Sequence, residues 1–273
     1  MAGVLLALRP PNNAQNASQS AVVFERLCAE SFVYYSTLMM LFDPSLDVLY
    51  RTNPTIDLDR YFSDFADGGT VMPGMLTAAQ PVLHASYKFF LLVADVTRLA
   101  RIPHPFNEVE VGKWEHIHAD LLRWEGALHD DPSAMLYILA MRILLLKVDP
   151  TASILESTEQ MHCLLQHGLR IMSVLDLRSY FLVYLLWPLA VFGSVAVEHS
   201  DRRVVGEQVS VLTQTRHGQP LRVKKLMEVI WSANDGGQED GSTVILRQLR
   251  MLLEGTQYTL SIGRDELMST ESE

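Results

Sequence analysis

His116-Ile117-His118-Ala119-Asp120 brings two imidazoles and a carboxylate within five positions, the first part of the metal-binding pattern H-x-H-x-D-H. That chemistry needs all its ligands turned toward one ion, and position 121 is Leu where a further His is wanted. The surrounding residues repeat at helical spacing, and on a helix residues two apart point away from each other. The expectation is therefore a solvated helix face and no metal.

His129-Asp130 offers a second constellation, an adjacent dyad of the sort that helical metal-dependent phosphohydrolases use, with His84, His116 and Asp149 as conceivable further ligands. Asp131-Pro132 follows at once. A residue before proline avoids the helical region, so the dyad reads as a helix exit followed by a fresh N-cap. Cys163 beside His162 is no nucleophile–base pair, because neighbours on a helix face different directions. Glycine-rich phosphate loops, a nucleophile elbow and H-E-x-x-H are all missing from the sequence. No catalytic residue and no cofactor is expected on this basis.

The elements that carry these residues are helices. Asp43-Pro44-Ser45 ends a first helical pattern from Ala21, and a loop Asp47–Gly74, broken by Pro54, Gly68-Gly69 and Pro73, follows it. Further helical blocks read as residues 76–102, 110–129, 134–148, 153–172, 177–197, 202–213, 223–231 and 243–254. In the second of these, Trp114, Ile117, Leu121, Trp124 and Leu128 form one amphipathic face. No segment alternates as a strand would. The expected fold class is all-α, with stacked helical hairpins around a central apolar helix.

The stretch Tyr180–Val197 contains no charged residue. Its length touches the lower edge of a bilayer span, but Pro188 and Gly193 interrupt it and the other helices need an apolar partner. It reads as a core helix, broken or kinked at Pro188. The chain of 273 residues divides into a flexible lead-in (1–20), one helical domain (21–262) and an acidic tail (263–273). The start lacks a basic n-region and a cleavage site, so no secretion signal is read. With 22 basic and 32 acidic residues the formal charge is −10, which argues against direct binding of nucleic acid. The two cysteines, Cys28 and Cys163, lie in apolar segments and read as buried free thiols in a reducing compartment.

Trp187, Pro188, Leu189, Gly193 and Ala196, then Asp201-Arg202 and finally Trp231, follow one another in the C-terminal third. This order resembles the regulatory region of fungal zinc-cluster transcription factors, the fungal-specific transcription factor domain of the second type. Each of these residues also has a packing role: Gly193 for close approach, Trp187 to fill space, Asp201 to cap or pair at the helix that Arg202 begins. The resemblance implies a regulator in the nucleus or cytoplasm, acting through protein partners and a small effector, and tied to secondary metabolism or a biosynthetic gene cluster. The family's DNA-binding module needs six clustered cysteines, and this chain has two far apart. It is therefore read as the regulatory part of a larger factor or as a protein that has lost that module.

The alternative is an enzyme recruited from the same scaffold, a cyclase, isomerase or pericyclase acting on a small hydrophobic metabolite. Both readings call for a pocket. It is expected between the central helix and the two preceding blocks, under the loop Asp47–Gly74, with Tyr34, Tyr35, His84, Tyr87, Trp114 and Trp187 facing it. No membrane partner is expected, and the sequence leaves open whether the chain is a homodimer.

Overall fold

A computed structural model describes residues 36–37, 39–42, 87–175, 185–213, 218–233 and 240–254. Among the described residues, eight helices follow in chain order after the helical residues near Met40: α1 (Tyr87–Arg101), α2 (Glu108–Ala127), α3 (Pro132–Lys147), α4 (Ile154–Val174), α5 (Leu186–Val195), α6 (His199–Thr213), α7 (Gly218–Ser232) and α8 (Gly241–Glu254). Among the described residues there is no strand, and the fold is all-α.

Local chemistry starts these helices. Asn107 and Glu110 form a capping box on α2: the Glu110 amide donates to Asn107 Oδ1 at 3.0 Å, and the Asn107 amide donates to Glu110 Oε2 at 2.8 Å. Ser153 and Glu156 repeat the device on α4. Hydrogen bonds from the Ser153 hydroxyl and amide hold the Glu156 carboxyl below its usual range. Asp131 Oδ1 accepts from the Ser133 and Ala134 amides at 2.9 and 3.1 Å, with Pro132 opening α3.

Pro188 is the third residue of α5, so it lies in the first turn and does not kink the helix. Backbone N–H groups there have no partner within the helix, so the missing one costs nothing. Residues 176–184, the upstream part of the expected block, lie outside the described residues.

Two helices form the centre rather than one. All ten residues of α5 are buried, and so are ten of the sixteen in α3. α3 packs on α4, α1 and α5, while α5 also meets α6, α7 and α8. Aromatic rings tie the layers together. Trp124 of α2 meets Phe89 of α1 edge-on at 5.5 Å, Phe89 meets Tyr137 of α3 at 6.1 Å, and Tyr137 stacks on Trp187 of α5 at 5.5 Å. Among the described residues no helix is long and apolar enough to cross a membrane.

α2 sits on the outside of the bundle. Only Leu121 of its apolar face is fully buried, while Trp114, Ile117, Trp124 and Leu128 are half-buried against the core. α4 buries Met161, Leu165, Gly168, Leu169 and Met172 along one stripe. Cys163 falls between these positions and is exposed, which corrects the expectation of a buried thiol. Cys28 lies outside the described residues.

Candidate functional site

The metal-like constellations come apart in three dimensions. His116 is exposed and reaches Asp120, one turn on, at 3.4 Å, while His118 stacks on Trp114 at 4.9 Å. His129 and Asp130 are both exposed in the turn after α2, and His129 Nδ1 lies 3.1 Å from the Gly126 carbonyl. Among the described residues no three His, Cys, Asp or Glu side chains gather closely enough to hold an ion.

Four residues of the Trp187–Trp231 pattern, Gly193, Ala196, Arg202 and Trp231, come together around the C-terminal end of α5. That end has no basic residue in its last turn, and its final carbonyls need donors from elsewhere. Trp231 of α7 supplies one, its Nε1 donating to the Gly193 carbonyl at 2.9 Å. Arg202 of α6 supplies another, its Nε donating to the Ala196 carbonyl at 3.1 Å. The Arg202 guanidinium then lies 6.0 Å from the centre of the Trp231 ring, so the two donors also bind each other. Gly193 permits the arrangement: a Cβ there would stand 2.8 Å from Met227 Cε. One glycine, one arginine and one tryptophan thus join α5, α6 and α7.

Asp201 does not cap its own helix, and that helix begins at His199 rather than at Arg202. The Asp201 carboxylate is buried in the first turn and accepts from Gln166 Nε2 of α4 at 2.9 Å. Trp187 is fully buried, and among the described residues its indole N–H has no acceptor.

A second convergence forms a cleft of about 850 Å³, the size of a metabolite site. The C-terminal ends of α1, α3 and α8 meet there, with the start of α4 as a further wall. Arg101 donates from Nε to the Leu253 carbonyl at 3.0 Å and from Nη2 to the Met40 and Leu41 carbonyls. Lys147 donates from Nζ to the Ala100 carbonyl at 2.7 Å. The bonds to Leu253 and Ala100 neutralise the negative ends of α8 and α1. Burial, followed by the nearby Arg250 guanidinium, lowers the Lys147 ammonium to about 8, against a smaller opposing pull from Glu254. Asp149, His104 and the buried Ser157 also line the cleft, and Ile102, Leu146, Leu246 and Leu253 give it apolar walls. Asp149 is occupied with its own turn, Oδ1 accepting from the Thr151 amide and hydroxyl at 2.8 and 2.7 Å.

Of the residues expected to face a pocket, Tyr34, Tyr35, His84, the side chain of Tyr87 and the loop Asp47–Gly74 lie outside the described residues. Trp114 and Trp187 are described, and neither lines the cleft. Trp114 Nε1 donates to the Leu145 carbonyl of α3 at 3.2 Å. Sequence reasoning passed over Arg101, Lys147 and Arg250. Each reads as an ordinary basic residue near a helix end, where a cation is favoured in any case.

The sequence pattern that defines the fungal specific transcription factor domain matches residues 113–253, just over half of the chain. Comparisons with curated proteins and with solved structures find no match. The matched span runs from the first turns of α2 to the last turn of α8, so it contains both the α5 cluster and three of the four walls of the cleft.

Proposed function

The chain belongs to the fungal specific transcription factor domain family, and on that premise we propose that it is a regulatory module of transcription. It works in the nucleus through protein contacts and is tied to metabolism by a small effector held in the cleft at the ends of α1, α3 and α8. The family match over residues 113–253 carries this reading. The cleft supports the effector part, since its volume suits a metabolite and polar groups converge on it. Contact with DNA is left to another module. The two cysteines of this chain cannot hold a two-zinc cluster, and a charge of −10 opposes phosphate binding over the bulk surface.

Tethering the chain to an unrelated DNA-binding module upstream of a reporter tests the proposal. Reporter output is expected to change relative to the module alone. The purified, untethered chain is expected to give no sequence-selective gel shift at physiological salt. An unchanged reporter, with the fusion shown to be nuclear and intact, overturns the regulatory reading.

A further inference from the structure

The cleft is polarised in a way that selects among effectors. Lys147 and Arg250 project from different helices, α3 and α8, into the same space. Lys147 donates one hydrogen bond, to Ala100, and an ammonium carries three donors. Two cations facing each other across a half-enclosed cleft repel, and an anion seated between them removes that repulsion. Two carboxylates also border the space. Asp149 is engaged with the Thr151 turn, and Glu254 attracts Lys147 less than Arg250 repels it. Arg101 sits deeper, with its bonds on helix-end carbonyls, and His104 lies at the α1 margin. The remaining wall is aliphatic.

We propose that this cleft binds a small organic anion, with a carboxylate head between Lys147 and Arg250 and an apolar body against Ile102, Leu146, Leu246 and Leu253. The assignment rests on the effector reading above and narrows it to one ligand class. Two charge-assisted bonds fix the head, and the aliphatic wall rewards a tail. An uncharged analogue leaves the two cations facing each other. A bare anion gains nothing from the wall.

Octanoate, 1-octanol and inorganic phosphate separate these contributions, with calorimetry on the purified chain as the readout. Octanoate is expected to bind at millimolar concentration or below, and the other two at least about tenfold more weakly, since each loses one contribution. Lys147→Met and Arg250→Gln are each expected to weaken octanoate by about tenfold, the equivalent of one charge-assisted bond. Arg250 is exposed, so its variant remains informative if Lys147→Met folds poorly. Octanoate affinity is also expected to fall as the pH rises above about 8, where the free protein loses the Lys147 charge. The charged and titratable groups that share the cleft with it are Arg101, Arg250, Asp149, Glu254 and His104.

Octanol binding as well as octanoate, or affinity indifferent to both variants, overturns the proposal, as does an absence of octanoate binding. The reporter assay stands apart from this test. Reporter activity without octanoate binding removes the ligand class and leaves the regulatory module, whereas binding without reporter activity does the reverse.

Discussion

Two regions of the molecule meet the same requirement by different means. At the end of α5, and again where α1, α3 and α8 converge, helix carbonyls need donors that their own helices cannot supply. Around α5 the donors are Trp231 and Arg202, a ring and a planar guanidinium that lie against each other while they donate. The result is a packed junction of three helices. In the cleft the donors are Arg101 and Lys147, reaching carbonyls through long aliphatic stems, and about 850 Å³ is left between the walls. Each region has an arginine donor, so the difference lies in Trp231 on one side and Lys147 on the other. An aromatic donor fills the volume it spans, whereas an aliphatic one satisfies the carbonyl and leaves room beside it.

If the α5 region is a closed junction, its side chains should be costly to remove. Trp187→Ala deletes a fully buried ring stacked on Tyr137 and is expected to destabilise by about 3–5 kcal/mol, measured by denaturant unfolding. Trp187→Phe should cost far less, because it also removes a buried indole N–H that has no acceptor among the described residues. A mild Trp187→Ala would show that this region is loosely packed and dissolve the contrast.

The glycines grade the same junction more finely. A Cβ at Gly168 would stand 2.7 Å from Phe192 Cζ, on a ring that is itself fully buried. A Cβ at Gly193 would instead meet the end of the flexible Met227 side chain. Both substitutions to Ala overpack, at about 1–3 kcal/mol, with Gly168→Ala the worse because a thioether can swing aside and a ring held on all sides cannot. Adding Met227→Ala should lessen the further cost of Gly193→Ala. Equal costs with no coupling would place the close approach elsewhere.

The smallest effect belongs to the cleft. Lys147→Met should change stability at neutral pH by no more than about 1 kcal/mol, since the lost bond to Ala100 is offset by removal of a buried charge. The pH profile is more telling. Lys147 titrates at about 8 in the folded chain against 10.5 as a free side chain, so between those values the unfolded chain binds more protons. Stability from this group therefore rises with pH across that window and levels off above it. The Lys147→Met variant should lack the rise. An unaltered profile in the variant would mean that Lys147 is not the buried cation of the cleft.

Much of the local architecture was legible in the sequence. Asp131 before Pro132 was read as a fresh N-cap and starts α3, whereas the capping box of Asn107 and Glu110 is equally local but went unread, the expected block beginning at 110 instead of Glu108. The apolar character of α5 was equally plain, though the companion role of α3 was not. Pro188 stands third in α5, a first-turn position at which proline is tolerated, and the string alone does not give that position.

What the sequence by itself determined was the all-α class and most of the helix positions, whereas Gly193, Arg202 and Trp231 were related to one another only by the family resemblance. Periodicity and capping act over one or two turns, so they can be read without knowing the fold. Only the tertiary structure decided that Asp201 binds Gln166, that Cys163 faces outward, and that Lys147 meets Arg250 across a cleft. The reason is physical. A cleft is the volume that helices fail to fill between them, so it depends on crossing angles and on side chains distant in sequence, and no short stretch of residues encodes it.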